Sequence, residues 1–236
     1  MRHITVLFAL LALMGCAETP FHGLTLMDMQ DMEHTGEPNL QVSEQGEVTL
    51  SYLREHAGMT TLYLRTLSRA GWSSPKPVTE GKNLLVNWAD FPSIIAANDR
   101  LIAHWLVRQE GPAFAYDIYT ASSDDGGVRW TTAKRLHADT SDTEHGFASL
   151  YAAPEGVGAF WLDGQRYAQA GQSKGMELRH RLLGMDNTDS EAVVDSLVCD
   201  CCHTDAIVVD GSPVVVYRDR TENEIRDISL ARLTDT

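Results

Sequence analysis

The stretch Leu101-Ile-Ala-His-Trp105-Leu-Val-Arg108 is one of four places where an apolar run carries an aromatic residue with a charged residue close behind. The four aromatic residues are 53, 56 and 56 residues apart along the chain. A period of roughly fifty residues, with several short strands in each unit, predicts an all-β fold of the β-propeller type. The four runs lie at 48–54, 101–108, 157–163 and 214–219, and their aromatic residues are Tyr52, Trp105, Trp161 and Tyr217.

Four repeat units follow from these runs, at 39–80, 90–137, 145–197 and 203–236. Alternating apolar and polar residues, bounded by turns such as Asn98-Asp99 and Asp210-Gly211, mark the strands of each unit. No segment shows sustained helical periodicity. The predicted strands are 40–42, 47–53, 61–67 and 72–78; 92–97, 101–107, 115–122 and 130–136; 147–152, 157–162, 177–183 and 192–197; and 204–209, 214–217 and 227–233.

Residues 1–16 have the layout of an export signal: Arg2, then eleven apolar residues at 4–14, then Leu13-Met14-Gly15-Cys16. The last four residues resemble the lipobox of bacterial lipoproteins, in which the cysteine becomes the lipidated first residue. The alternative is an ordinary signal peptide with an incidental cysteine. Ala17 after the cysteine indicates the outer membrane in such proteins. We therefore expect an exported envelope lipoprotein, anchored by lipid on Cys16, whose domain faces the periplasm or the cell surface.

The remaining organisation is a tether at 17–38, which could end in one strand near 24–26, followed by the propeller at 39–236. The whole chain has 33 acidic against 19 basic residues and a net charge of −14. This excess of negative charge argues against nucleic acid as a partner and against electrostatic attachment to anionic lipid. The lipid on Cys16 is then the expected membrane contact.

The most specific motif is the hairpin Ser123-Asp124-Asp125-Gly126-Gly127-Val128-Arg129-Trp130. It matches the Asp box, Ser-x-Asp-x-Gly-x-Thr-Trp, except that Arg129 replaces the threonine. In this motif the aspartate caps backbone N–H groups, the glycine adopts positive φ and the tryptophan fills the gap between sheets. We therefore predict structural roles for Ser123, Asp125, Gly127 and Trp130.

This motif, together with the segments 88–93, 144–149, 199–206, 161–164 and 217–220, resembles the sialidase-like propellers, also called bacterial neuraminidase repeats. The resemblance covers 40–233 and implies a glycan-processing protein, of the retaining exo-α-sialidase type, that needs no cofactor. Propellers of that family have six blades, whereas this chain supplies three and most of a fourth. We therefore expect part of a six-bladed propeller; the alternative is a four-bladed ring closed by the N-terminal strand. The alternative function is a non-catalytic propeller that binds glycan or protein as an envelope scaffold.

A sialidase needs arginines that hold the substrate carboxylate and an acid that protonates the leaving oxygen. Propeller connectivity places the candidates at one end of the sheets, where ligands usually bind. The tyrosine nucleophile and the first clamp arginine of that family have no counterpart here. The arginines could instead form a solvated ion-pair network. The candidates are Asp90, Asp163 and Glu224 for catalysis, Arg218, Arg220 and Arg226 for the clamp, and His145 for a sugar contact.

Three cysteines and a histidine lie together in Cys199-Asp-Cys201-Cys202-His203. Disulfide formation is the ordinary outcome for cysteines in an oxidising compartment. Soft ligands at this spacing could alternatively bind copper or zinc, with Asp205 as an oxygen ligand, or the thiols could stay free and buried. Adjacent residues of a strand point to opposite faces, which disfavours a single metal, so none is assigned.

Overall fold

The computed structural model describes residues 23, 25, 27, 29–43, 45–154, 156–169, 175–183 and 191–234. It divides into two compact units, Met1–Gln30 and Asp31–Thr236. The predicted signal at 1–16, and Leu24 and Leu26 of the predicted strand at 24–26, lie outside the described residues. No helix in the described ranges is long and apolar enough to cross a membrane. All the architecture that follows belongs to the second unit.

The second unit is all-β, and its described strands form four antiparallel sheets in which consecutive strands are neighbours. The first sheet consists of β1 (Thr35–Val42), β2 (Val48–His56), β3 (Met59–Ser68), β4 (Gly71–Trp72) and β5 (Lys76–Gly81). Its order is β1-β2-β3-β4, and β5 also pairs with β3. β1 begins inside the segment 17–38 that was predicted as tether, and its register shifts between Gly36 and Asn39, around a proline that cannot donate a hydrogen bond.

The second and third sheets each contain four strands in sequence order. The second sheet consists of β6 (Ser93–Ala97), β7 (Arg100–Arg108), β8 (Tyr116–Ser123) and β9 (Lys134–Arg135). The third consists of β10 (His145–Ala153), β11 (Gly156–Asp163), β12 (Met176–Leu183) and β13 (Ala192–Val198). One turn of helix, α1 (Gln165–Ala168), lies between β11 and β12.

The fourth sheet contains β14 (Asp205–Val209), β15 (Ser212–Arg218) and β16 (Ile228–Arg232). Its first hairpin turns at Asp210-Gly211, where φ is 50° and 76°. The turn Asn98-Asp99 of the second sheet has φ of 50° and 59°. Positive φ at both central residues defines the type I′ turn, which suits the twist of a two-residue hairpin. Both sites were predicted as tight turns from their residue types.

Three apolar clusters fill the spaces between successive sheets. Successive side chains of β11 point to opposite faces and so contribute to two clusters. Val157, Ala159 and Trp161 pack toward the second sheet. Phe160 and Leu162 pack toward the fourth sheet. The repeated aromatic residues Trp105, Trp161 and Tyr217 each pack against the preceding sheet. The regular spacing seen in the sequence therefore reflects one repeated packing role. Tyr52, in the first sheet, stacks on Tyr63 at 5.6 Å.

The Asp-box hairpin ties the second sheet to the first. Asp125 Oδ1 accepts hydrogen bonds from the N–H groups of Val128 and Arg129 at 3.1 and 2.9 Å. The Ser123 hydroxyl accepts one from Gly127 N–H at 2.9 Å. Gly127 has φ of 82°, and a Cβ on it would overlap the Leu64 side chain of the first sheet. The Trp130 ring packs against the cluster between these two sheets.

The strand predicted at 130–136 is shorter than expected, because only Lys134–Arg135 pairs regularly, as β9. The backbone from Asp124 to Trp130 is bent around the Asp125 carboxylate, so the first residue of the predicted strand belongs to the turn. Beyond the turn, Thr131 N–H donates to the Ser122 carbonyl at 2.9 Å and Leu136 N–H donates to the Ile118 carbonyl at 2.8 Å. The segment therefore follows β8 with irregular pairing on both sides of β9.

Candidate functional site

One end of the sheets carries the segments that lead into β6, β10 and β14 and the loops that join second strands to third strands. Antiparallel connectivity brings these segments together, as predicted. We call this end the site face. The Asp-box hairpin lies at the opposite end. The site face holds Asp90, Asp163, Arg218, Arg220, Glu224, Arg226 and the start of β10 at His145.

Tyr116, the first residue of β8, joins two carboxyl groups on the site face. Its hydroxyl lies 2.9 Å from Asp90 Oδ2 and 2.7 Å from Glu144 Oε1. Asp90 is 1% exposed, whereas Glu144 is only half-buried and reaches solvent. We call these three residues the carboxyl–tyrosine site. Its members come from three separate segments of the chain.

The geometry of this site fixes how many protons it holds. A phenol has one hydrogen to donate, so two ionised carboxylates cannot both be bonded by it. Both contacts are satisfied only when one carboxyl group carries a proton. Burial raises the pKa of Asp90 to about 7, an effect opposed by hydrogen bonds from Phe147 N–H and Tyr116. Asp90 is therefore the protonated member below that pH.

Glu144 is the member that solvent and ligands can reach. Its pKa is raised, first by partial burial and then by repulsion from Asp200, while the Tyr116 hydrogen bond opposes the shift. The pKa of Tyr116 is also raised, by burial and by the two neighbouring carboxyl groups, so the phenol keeps its proton. A carboxyl group with a raised pKa in contact with solvent is suited to proton exchange with a bound molecule.

The backbone next to Glu144 is shaped to admit Asp90. A Cβ on Gly146 would overlap Asp90 Oδ2 and contact the Tyr116 ring, so this position requires glycine. Phe147 has φ of 53°, a conformation that non-glycine residues seldom adopt, and its N–H bonds the Asp90 carboxyl. Gly146 therefore makes room for the carboxyl–tyrosine site.

Asp163 and His145 are completely buried beneath the site face. Asp163 accepts hydrogen bonds from Trp161 Nε1 at 2.9 Å and from Gln165 N–H at 3.0 Å. His145 Nε2 lies 2.9 Å from Asp139 Oδ2. These contacts place both predicted site residues inside the protein, as members of a polar network between the second and third sheets.

Asp117, His137 and His145 have the residue types of a metal site, with ligand atoms within 4.8 Å of one another. The two imidazole rings are stacked, with centroids 3.8 Å and planes 6° apart. Lone pairs of stacked parallel rings run side by side, so one cation cannot lie in both ring planes. Arg135 also pairs with Asp117 at 2.9 Å. The cluster therefore fits a buried hydrogen-bonded network better than a cation site.

Two of the three arginines predicted as a clamp, Arg220 and Arg226, are paired with acidic side chains. Arg220 Nη1 lies 3.0 Å from Asp200 Oδ2, and Arg220 Nη2 lies 2.7 Å from Glu224 Oε1. Arg226 Nη2 lies 2.9 Å from the other oxygen of Glu224. Arg218 Nε donates to the Arg226 carbonyl at 3.2 Å. These contacts are those of the ion-pair network that the sequence left open as the alternative to a carboxylate clamp.

The cysteine segment crosses from the third sheet to the fourth. Cys199 and Cys202 form a disulfide with Cα atoms 5.7 Å apart, and Cys201 is exposed and free. Two of the three thiols are therefore unavailable as metal ligands. The His203 ring packs 4.9 Å from that of Phe91, and its Nδ1 lies 3.0 Å from the Thr204 carbonyl oxygen. The segment thus fixes where β14 begins.

A cavity of about 500 Å³ opens between β1 and the fourth sheet. Phe91, His203 and Tyr217 line it, but the carboxyl–tyrosine site does not. The carboxyl–tyrosine site and this cavity are therefore neighbours in the chain, because Phe91 follows Asp90, but they are not the same place. We place the candidate site at the carboxyl groups because their protonation is perturbed, whereas the cavity wall is mainly apolar.

The sequence analysis did not single out Tyr116, Asp117, His137 or Asp139 as members of these networks. Tyr116 was assigned only to a strand, because nothing local links it to residues 26 and 28 positions away. One signal was available. Gly146 follows a charged pair directly before a strand, and a glycine there indicates close approach of another group.

These sheets define the class of fold, a β-propeller related to those of glycoside hydrolases, since solved enzymes of that class share it. The α-L-arabinanase of Penicillium chrysogenum, solved with arabinobiose, has a TM-score of 0.53 at 11% identity, over 79% of this chain and 59% of its own. The GH93 α-L-arabinofuranosidase of Fusarium graminearum, also with arabinobiose, has a TM-score of 0.54 at 13% identity, over 78% and 59%.

This chain spans less than two thirds of either enzyme, covering 59% of each. At these identities the similarity establishes the fold alone. No protein-family profile and no curated protein sequence matches the chain. Function must therefore be argued from the residues of the site.

Proposed function

We propose that this protein is a glycoside hydrolase whose acid–base chemistry takes place at Asp90, Tyr116 and Glu144. The observation that carries the proposal is the single hydroxyl held between two carboxyl groups, one buried with a pKa near 7 and one open to solvent. Glycosidic bond hydrolysis uses paired carboxyl groups with separated protonation states. The fold shared with glycoside hydrolases supports the same class.

In this proposal the proton held by Asp90 passes through the Tyr116 hydroxyl to Glu144, and Glu144 gives it to the glycosidic oxygen as the bond from that oxygen to the anomeric carbon breaks. A water molecule then adds its hydroxide to the anomeric carbon, and the remaining proton returns through Glu144 and Tyr116 to Asp90, so the site ends as it began. Tyr116 also positions the Glu144 carboxyl group. Asp200, held by Arg220, supplies negative charge on the same face, where positive charge develops on the sugar.

The substrate within this class is a separate question. The sialidase-like motifs favour a sialoside, for which Arg218, Arg220 and Arg226 would form the clamp. That clamp requires Arg220 and Arg226 to leave Glu224 and Asp200. The two structural relatives were solved with arabinobiose, a neutral sugar. Both substrate types belong in the first assay.

The test is turnover by the full-length chain of arabinan, arabinobiose and sialyllactose, with released sugars separated by chromatography. Glu144→Gln keeps the shape and removes the proton, so kcat/KM should fall by about 10²- to 10⁴-fold. Glu222→Gln, an exposed carboxylate on the β15–β16 loop of the same face, is the matched control and should leave turnover unchanged. Equal activity of Glu144→Gln and the wild type would reject the proposal, as would a folded wild type without turnover.

A second candidate is a non-catalytic propeller that binds glycan or protein. The ion pairs among Arg220, Arg226, Glu224 and Asp200 favour it, because they already neutralise part of the charge on the site face. It predicts binding without bond cleavage, and identical binding by the wild type and Glu144→Gln.

We also propose that the protein is an envelope lipoprotein with lipid on Cys16, supported by the lipobox resemblance. Growth of expressing cells with a labelled fatty acid should label the wild type and not Cys16→Ser. Equal labelling of both would contradict the anchor.

A further inference from the structure

Among the residues that the structure describes, three aromatic side chains are strongly exposed: Trp88 at 87%, Phe114 at 72% and Tyr167 at 44%. All three lie in segments of the site face. Trp88 is in the segment leading into β6, Phe114 is in the β7–β8 loop, and Tyr167 is in α1, between β11 and β12. A single exposed apolar residue needs no explanation, but the presence of all three exposed aromatic residues at one end of the sheets does.

Each of the three aromatic residues is linked to the ionisable residues of the site face, either by position in the sequence or by a hydrogen bond. Trp88 is two residues from Asp90, and Phe114 is two residues from Tyr116. The Tyr167 hydroxyl hydrogen-bonds with Asp200 and with Arg220, and Asp200 in turn acts on Glu144. The three residues therefore lie in the same segments of the site face as the carboxyl–tyrosine site and Asp200.

We propose that Trp88, Phe114 and Tyr167 form an aromatic platform on which the rings of an uncharged oligosaccharide stack. This inference rests on the proposed function and specifies its substrate class. A sugar ring offers an apolar C–H face to an aromatic ring and hydroxyl groups at its edge. Rings interleaved with carboxylates match both features, since the carboxylates accept hydrogen bonds from hydroxyl groups.

The charges of the site face disfavour acidic sugars as ligands. Glu144, Asp200 and the exposed Asp142 next to Gly111 give this end negative potential, within a chain of net charge −14. Arg220 and Arg226 are occupied by Glu224 and Asp200. Arg218 is paired across β15 and β16 with Ile228, on the exposed face of the fourth sheet. A sialylated or uronic sugar would meet repulsion from these acids, and of the three predicted clamp arginines only Arg218 is without an acidic partner among the described residues.

The same carboxylates argue against a protein partner at this surface. An apolar protein surface that covered the rings would also remove water from Glu144 and Asp200 without supplying donors. Sugar hydroxyl groups supply those donors. An uncharged oligosaccharide therefore satisfies both the rings and the acids.

The test is binding of the full-length chain to a microarray carrying neutral and acidic glycans, including arabino-, manno-, gluco- and galacto-oligosaccharides and sialylated and uronic ones. The strongest binder is then titrated calorimetrically against Trp88→Ala and Phe114→Ala. Each variant should weaken binding about tenfold. Val128→Ala is the matched control, because Val128 is 68% exposed but lies on the Asp-box hairpin at the other end.

Selective capture of neutral glycans, weakened by both aromatic variants and not by Val128→Ala, supports the platform. Binding to acidic glycans alone overturns it, as does binding to neutral glycans that both variants retain at full strength. Turnover that requires Glu144 but ignores Trp88 and Phe114 would leave the proposed function standing while the platform fails. Platform-dependent binding without turnover would leave the platform standing while hydrolysis fails. The absence of binding to any glycan would contradict both the aromatic platform and the proposed hydrolase function.

Discussion

The third and fourth sheets have the same strand order but differ in what covers them. In the third sheet, β10 and β11 are buried along nearly their whole length, because the second sheet covers one face and the fourth covers the other. In the fourth sheet, Val215 and Tyr217 are buried against the third sheet, while Ile207, Ile228 and Leu230 on its other face are 57%, 75% and 63% exposed.

The difference shows that burial in a radial repeat is a property of neighbours and not of the strand sequence. Ile207 of β14 and Leu230 of β16 are as apolar as Leu150 of β10 and Leu178 of β12, which are buried, yet nothing in the described residues covers them. In repeat architectures each unit is stabilised mainly by its interfaces with adjacent units. Equivalent substitutions should therefore cost much more in the third sheet than in the fourth.

The largest difference should come from a matched pair of leucines. Leu162→Ala removes a side chain that is 1% exposed and should lower the free energy of unfolding by about 2 to 5 kcal/mol. Leu230→Ala removes one that is 63% exposed and should cost less than about 0.5 kcal/mol. Urea unfolding followed by circular dichroism measures both, with an unchanged m-value as the control. Similar losses in the two variants would show that the outer face of the fourth sheet is covered in solution.

A pair of glycines should show the next largest effect. A Cβ on Gly158 of β11 would overlap the Tyr151 ring on the adjacent strand, so Gly158→Ala should cost about 1 to 3 kcal/mol. Gly211 lies in the β14–β15 turn with nothing within 4 Å of such a Cβ. Gly211→Asn, which tolerates the positive φ, should cost less than about 1 kcal/mol. Thermal unfolding compares them, and a harmless Gly158→Ala would mean that Tyr151 has another position available.

The interface between the third and fourth sheets can be weakened by a substitution that leaves the packed volume almost unchanged. Thr204 Oγ1 lies 2.7 Å from Ser149 Oγ and donates to the Phe147 carbonyl at 2.9 Å. Thr204→Val should cost about 1 to 2 kcal/mol, because both bonds are buried. Native-state hydrogen exchange should then quicken in β14–β16 before β10–β12. Thr221→Val on the exposed β15–β16 loop is the control; uniform acceleration throughout would mean that the fourth sheet does not open separately.

The smallest effect concerns pH and His180 of the third sheet. Burial lowers the pKa of His180 to about 4, while the ordinary imidazole value is 6.5, and its Nε2 lies 2.6 Å from the Tyr151 hydroxyl. The unfolded chain therefore takes up the proton first. The stability from neutral His180 is present above pH 6.5 and is lost as pH falls toward 4. His180→Gln should take up one proton fewer on unfolding in this range.

Urea midpoints measured from pH 7 to pH 4 test this, and Leu230→Ala should keep the slope of the wild type. His104 and His137 act in the same direction, since burial lowers their pKa values to about 4 and about 3. Asp90 acts oppositely, because its stabilising contribution is lost as pH rises through about 7. Identical pH profiles for the wild type and His180→Gln would refute the assignment.

Strands and hairpins were largely predictable from the sequence, because their signals are local. The predicted strand at 157–162 lies within Gly156–Asp163, and that at 214–217 lies within Ser212–Arg218. The exceptions have competing local causes. The strand predicted at 130–136 begins inside the Asp-box turn and pairs regularly only at Lys134–Arg135, and the single helical turn Gln165–Ala168 is too short to show periodicity.

The candidate site was only partly predictable. Asp90 and Arg220 could be placed on one face because strand direction decides it. Which of the ionisable groups meet depends on contacts between sheets, and these have no period. Tyr116 joins Asp90 and Glu144 only after the second and third sheets pack together. Asp163 was placed on the correct end, but no local pattern reveals that Trp161 donates to it inside the protein.

The tryptophans of this protein differ widely in exposure to solvent, so they should fluoresce at different wavelengths. Trp161 and Trp105 are 0% and 3% exposed and should fluoresce at short wavelength, whereas Trp88, at 87%, should emit at longer wavelength from water. A neutral quencher such as acrylamide should reach Trp88 readily. Compared with their action on free tryptophan, iodide should lose more of its quenching of Trp88 than caesium does, because negative potential on the site face repels anions. The protein thus carries an intrinsic reporter of the charge and occupancy of its site face.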